Sequence, residues 1–74
     1  KIAGLSQESD LIVIRGKTDD LKFSACHFKE NKLIALECVN DQKTFMVGKK
    51  LIEASSKITP EALIDEQSNL KNWL

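Results

Sequence analysis

The chain is poor in most of the groups from which active sites and secreted scaffolds are built. Its 74 residues include two cysteines, one histidine, one proline, three glycines, one tryptophan and no tyrosine. Two cysteines are too few to staple a small secreted domain, so Cys26 and Cys38 are expected to be reduced, buried thiols of a cytoplasmic protein. Asn31, Asn40, Asn69 and Asn72 all lack a serine or threonine two residues on, which leaves no glycosylation sequon. No apolar run approaches the roughly 18 residues of a membrane span, and there is no signal peptide or lipidation motif. Charge of neither sign is in excess: 11 Lys+Arg balance 11 Asp+Glu. That balance removes the global field that draws proteins to nucleic acid or to anionic membranes.

What remains is an ordinary folded composition, 42% hydrophobic and 30% charged. At 8.3 kDa residues 1–74 make a single domain with a thin core, because so short a chain buries only about 60% of its unfolded surface. The chain opens on Lys1 and its only methionine is Met46, so it is expected to be part of a longer protein.

The chain divides near Asn40 into a half patterned for strands and a half patterned for helices, the order of an α+β domain. The β-branched run Leu11-Ile12-Val13-Ile14-Arg15, closed by Gly16, predicts a strand over 11–16, short enough to be covered on both faces. Alternation predicts strands over 21–28 and 32–39, and residues 1–3 can add an edge. In the second strand Leu21, Phe23, Ala25 and His27 share one face, and Lys22, Ser24, Cys26 and Phe28 the other.

A two-residue loop at Glu30-Asn31 sets Lys29 opposite Lys32, His27 opposite Ile34, Ala25 opposite Leu36 and Phe23 opposite Cys38. That register joins apolar to apolar on one face and leaves Phe28, Leu33 and Val39 as an exposed patch on the other. It also sends Cys26 and Cys38 to opposite faces, too far apart for a disulfide. Asn31 tolerates positive φ, whereas Glu30 suits the turn poorly; a type I turn with a bulge is the alternative and shifts the pairing.

Beyond Asn40 the period becomes helical. Asn40 or Asp41 can cap a helix over 41–55 whose stripe is Phe45, Gly48, Leu51, Ile52 and Ser55. Gly48 in its middle predicts close approach of another backbone. Thr59-Pro60-Glu61 is a cap, a first-turn proline and an early acid, starting a short helix over 60–64. Ser68 is expected to begin a last turn, 68–73, that carries Leu70, Trp73 and Leu74 toward the core.

Little of this composes chemistry. Gly16-Lys17-Thr18 after a strand is similar to the end of a phosphate-binding loop, but that motif needs a glycine where Leu11 stands and a helix where residues 21–28 read as strand. His27 is the only histidine and reads as a packed residue with one hydrogen bond. With the cysteines on opposite faces, no metal tetrahedron forms. No carboxylate pair or nucleophile–base pair survives inspection, so no catalytic residue is assigned.

Several separated phrases nevertheless resemble one family in the same order. They are Lys1-Ile2-Ala3-Gly4-Leu5-Ser6, Ile12-Val13-Ile14-Arg15-Gly16, Phe23-Ser24, the run from Lys32 to Asn40, Phe45-Met46-Val47-Gly48-Lys49-Lys50-Leu51-Ile52, and Leu70-Lys71. Together they resemble the C-terminal domain of the FAD-dependent ferredoxin and rubredoxin reductases, the group of putidaredoxin reductase and rhodocoxin reductase. The sequence departs from that pattern at Cys26 and His27, where two aromatics are usual, at Asn31, where a turn glycine is common, and at Asp41-Gln42, where Arg-Pro is usual.

The resemblance implies a parent flavoprotein that moves reducing equivalents from NADH or NADPH through FAD to a ferredoxin or rubredoxin. In it this domain shields the flavin, packs on the FAD- and NAD-binding domains of the same chain and helps dock the iron–sulfur partner. The segment beside the flavin is expected upstream of Lys1, so no cofactor-binding residue is assigned here. Such partners are usually acidic, which makes Lys1, Lys49 and Lys71 the docking candidates, with Lys50 and Lys57 pointing elsewhere. The isolated domain is expected to be inactive, less stable than in its parent and prone to self-association. The alternative is a free-standing interaction or dimerisation module that uses the patch at Phe28, Leu33 and Val39.

Overall fold

Alternating apolar residues suit a sheet with one covered face, and this is how the first half of the chain is spent. The computed structural model describes residues 1–5 and 7–74. Among them, β1 (Ile2–Gly4), β2 (Leu11–Lys17), β3 (Lys22–Lys29) and β4 (Lys32–Val39) form an antiparallel sheet in the order β1-β4-β3-β2. Helices α1 (Gln42–Glu53) and α2 (Pro60–Ile64) follow, with short 3-10 helices at Thr18–Asp20 and Leu70–Trp73. The α+β architecture is the expected one. Helix α1 packs on β4 and β1, and α2 on β2.

The hairpin turn falls at Glu30-Asn31 as expected, and both residues adopt positive φ, 51° and 67°. Glu30 therefore carries the strain that asparagine tolerates better. The register beyond it differs. Phe28 pairs with Leu33, then His27 with Ala35, Cys26 with Leu36 and Ser24 with Cys38, so Ile34 is an extra, bulged residue. The reason lies in spacing. Leu33 and Leu36 stand an odd number of residues apart, so a regular strand sends them to opposite faces. One bulge brings Leu33, Leu36 and Cys38 to the same side.

That inversion decides the core. Phe28 and Leu33, expected in an exposed patch, are 0% and 2% exposed and pack with Val13, Cys26, Leu51, Ile58, Leu63 and Leu70 beneath the helices. Val39 alone of the three is exposed. Cys26 and Cys38 share the helix-facing side rather than opposite ones, on neighbouring strands in diagonal positions, and both are free thiols. Diagonal neighbours stand roughly 7–8 Å apart, beyond disulfide reach.

Strand β2 is an edge strand covered on one face only: Val13 is buried on the helix side, while Ile12 and Ile14 on the other side are exposed. The expectation of cover on both faces fails because no helix crosses to the other side. Gly4, at φ +80°, lies where an added Cβ would strike the Ile34 carbonyl oxygen, so its glycine lets β1 close on the bulge.

Asp41 caps α1, its Oδ1 accepting from the Thr44 amide at 3.3 Å. Gly48 does admit a close neighbour, but it is a side chain rather than a backbone: an added Cβ would sit 2.6 Å from Leu36 Cδ1. Thr59 caps α2 through Oγ1, which accepts from the Ala62 amide at 3.2 Å. The last 3-10 helix is capped by Asn69, not Ser68. It buries Leu70 and part-buries Trp73, but Leu74, whose amide closes the last turn on the Lys71 carbonyl, stays exposed.

Candidate functional site

Arg15 shares the parity of Val13, so it points into the helix layer, where a charge must be satisfied. Its Nη1 shares its two N–H bonds among the carbonyl oxygens of Ala62 at 3.3 Å, Leu63 at 3.2 Å and Asp65 at 2.7 Å, and Ser68 Oγ at 3.0 Å. Its Nη2 donates to the carbonyls of Glu66 at 3.3 Å and Ser68 at 3.0 Å. These acceptors are the orphan carbonyls at the end of α2 and the loop after it. Ser68, expected as a helix start, is a member of this network instead. Sequence reasoning passed over Arg15, although its place two residues after Val13 was the available signal.

Among the described residues no carboxylate pairs with Arg15. Arg15 lines a surface groove together with Lys43, Thr44, Val47, Glu66 and Lys71. Lys1 and Lys49 stand elsewhere. Lys1 Nζ lies 5.4 Å from the centroid of the Phe45 ring, and its main-chain nitrogen donates to the Cys38 carbonyl at 2.9 Å. Lys49 follows Phe45 by one helical turn and shares its face. The three candidate lysines thus form two groups on different flanks of α1, Lys1 with Lys49 and Lys71 with Lys43. Lys43 and Arg15 are basic groups that the sequence reading did not single out.

His27 is buried, with Nδ1 3.2 Å from Ser9 Oγ. It faces away from the helices, opposite the side on which a packed histidine was expected, because the bulge exchanged the faces. Its Nε2 lies 3.6 Å from Glu37 Oε1 and has no hydrogen-bond partner. Gly16, at φ +97°, leads into the three-residue 3-10 helix Thr18–Asp20 and then β3, so Gly16-Lys17-Thr18 opens no phosphate-cradling helix. Among the described residues no three His, Cys, Asp or Glu side chains gather as metal ligands, and no helix is long and apolar enough to cross a membrane.

The thiols are held neutral. Burial pushes Cys26 from 9.0 up to about 12, with the neighbouring Cys38 adding to the rise. Burial also raises Cys38, opposed by a 3.0 Å hydrogen bond from Ser24 Oγ. A folded thiol that resists ionisation binds more protons than its unfolded counterpart. Stability is therefore full below about pH 9 and falls as pH rises toward 12, by roughly 1 kcal/mol per unit for Cys26. Denaturation midpoints measured at pH 8 and pH 10.5 are expected to drop accordingly in the wild-type chain and to drop less in Cys26→Ala.

The chain matches the reductase C-terminal family over residues 1–74. It is 35% identical over 71 residues to a ferredoxin–NAD(P)+ reductase of Sphingomonas sp., covering 96% of this chain and 17% of that protein. It is 32% identical to rhodocoxin reductase of Rhodococcus erythropolis, with the same 96% and 17% coverage. The crystal structure of a ferredoxin reductase from Rhodopseudomonas palustris superposes with a TM-score of 0.90 at 37% identity, over 96% of this chain and 18% of that one. The chain thus spans less than a fifth of the relatives it matches.

Proposed function

The chain belongs to the reductase C-terminal family, and on that premise we propose that it is the C-terminal domain of an FAD-dependent NAD(P)H:ferredoxin or rubredoxin oxidoreductase. There it shields the flavin and helps seat the iron–sulfur partner. The observation that carries this reading is the end-to-end match of residues 1–74 to one family whose relatives are more than five times as long.

FAD, when bound by the parent, accepts hydride from NAD(P)H and releases single electrons. The residues present here do not fit a dinucleotide. The three glycines serve a strand crossing, a strand end and a helix contact, which supports assigning FAD and NAD(P)H to the other domains. Cytoplasmic location accords with the free thiols at Cys26 and Cys38. The competing reading, a free-standing interaction module, loses the patch it relied on, because Phe28 and Leu33 are core residues.

The domain's own contribution is charge and surface. Lys1, Lys49 and Lys71 offer cations to an acidic partner, and such rim charges act on encounter more than on residence. Lys49→Glu and Lys71→Glu in the full-length protein are each expected to raise the KM for ferredoxin about three-fold at low salt, with a smaller effect at high salt. Reduction of a small artificial acceptor stays unchanged. If neither reversal alters ferredoxin kinetics, the docking role is wrong. The broader test is colour and turnover: the full-length protein is expected to be yellow and to reduce a ferredoxin with NAD(P)H, whereas the 74-residue chain alone does neither. A colourless, flavin-free full-length protein refutes the assignment.

A further inference from the structure

The helices cover one side of the sheet, and the other side is apolar. Pairing places Ile14 beside Ala25, Phe23 beside Val39, and Ile2 beside Glu37, all on the side away from Val13, Cys26 and Leu36. Ile2 is 69% exposed, Ile12 53%, and Ile14 and Val39 39% each. The segment through Ser9 and Asp10 closes only one end of this face, over His27, with Ser9 Oγ on His27 Nδ1 at 3.2 Å and the Asp10 amide on the Phe28 carbonyl at 2.8 Å. Glu37 is the charge at its centre, and it already faces His27 at 3.6 Å.

We infer that the helix-free face bearing Ile2, Ile12, Ile14 and Val39 is an intramolecular interface, covered by the remainder of the parent reductase and not by a second copy of this chain. The inference rests on the reading of the chain as a reductase domain. Two arguments select the occupant. Strands about 4.8 Å apart and about five residues of about 3.3 Å make the open face on the order of 300 Å². Doubled, that reaches the low end of interdomain contacts, roughly 600 Å², but falls well short of the roughly 1,200 Å² of a stable complex between separate molecules. The second argument is tethering. The same fold at a TM-score of 0.90 occupies only 18% of its relative, so the rest of such a protein is linked to this face at an effective concentration of order millimolar. A free copy competes at micromolar concentration.

The native thiols make this measurable, since Cys26 and Cys38 are 0% and 6% exposed and give little background to a maleimide. In the full-length protein, Ile14→Cys and Ile12→Cys are expected to label at least about ten-fold more slowly than Met46→Cys, an exposed control on α1. The rates are expected not to change with protein concentration. Labelling of both face positions as fast as Met46→Cys overturns the inference. Protection that strengthens with concentration also overturns it and assigns the face to a second copy. Flavin absorbance and ferredoxin reduction, read on the same samples, judge the reductase reading separately: their absence alongside slow labelling refutes that reading and leaves the buried face standing.

Discussion

Phe28→Ala is expected to lower the stability of the domain by about 3–5 kcal/mol, the usual range for emptying a buried aromatic site. A chain of 74 residues holds only about 4–11 kcal/mol in total, so this single change removes from about a quarter to all of it, the larger share in a domain with so thin a core. The isolated chain is expected to be largely unfolded at 37 °C, and the full-length protein to show an early unfolding step of this domain. The prediction follows from the bulge at Ile34, which turns Phe28 under the helices and against Leu33. In a regular hairpin, Phe28 lies in the exposed patch and its truncation changes stability by well under 1 kcal/mol. In the isolated chain Val39→Ala is the internal control, since Val39 is exposed there. Equal midpoints in urea for Phe28→Ala and Val39→Ala show the core to be misassigned.

Arg15→Met is expected to have the next largest effect, about 3 kcal/mol, because it strands the carbonyls of Leu63, Glu66 and Ser68 and leaves those of Ala62 and Asp65 to Ser68 alone. The discount reflects that the six contacts share four N–H bonds, and that water can partly satisfy the exposed acceptors at Asp65 and Glu66. Arg15→Lys recovers only part of the loss, as one ammonium cannot span the fork of contacts. The change is local. Amide exchange is expected to quicken at Leu63, Asp65 and Ser68, whose amides bond within this segment, while β3 and β4 keep their protection. Uniform loss of protection across the sheet would mean that Arg15 supports the whole core rather than the α2 segment.

Elements with strong local signals were legible from the residues. The caps at Asp41 and Thr59, the first-turn proline and the Glu30-Asn31 turn all depend on neighbours in sequence, and each is found where its side chains place it. The strands were legible to within a residue for the same reason. Arg15 was not, since its acceptors lie about fifty residues further along the chain. Nor was the partner of Gly48: the sequence signals that space is needed there but not that Leu36 fills it.

By itself, then, the sequence determined the order and type of the elements, and the family. These rest on composition, on periods of two and 3.6 residues, and on short phrases in a set order. Only the tertiary structure decided which face of the sheet is the core. That choice turns on one inserted residue, Ile34, whose bulge reverses the side of every later residue in β4 relative to its partners. A bulge is favoured when β1, β3 and the helices together gain more from burying Leu33, Leu36 and Cys38 on one side than the broken ladder loses. That sum runs over contacts between elements and has no signature in any single stretch of chain.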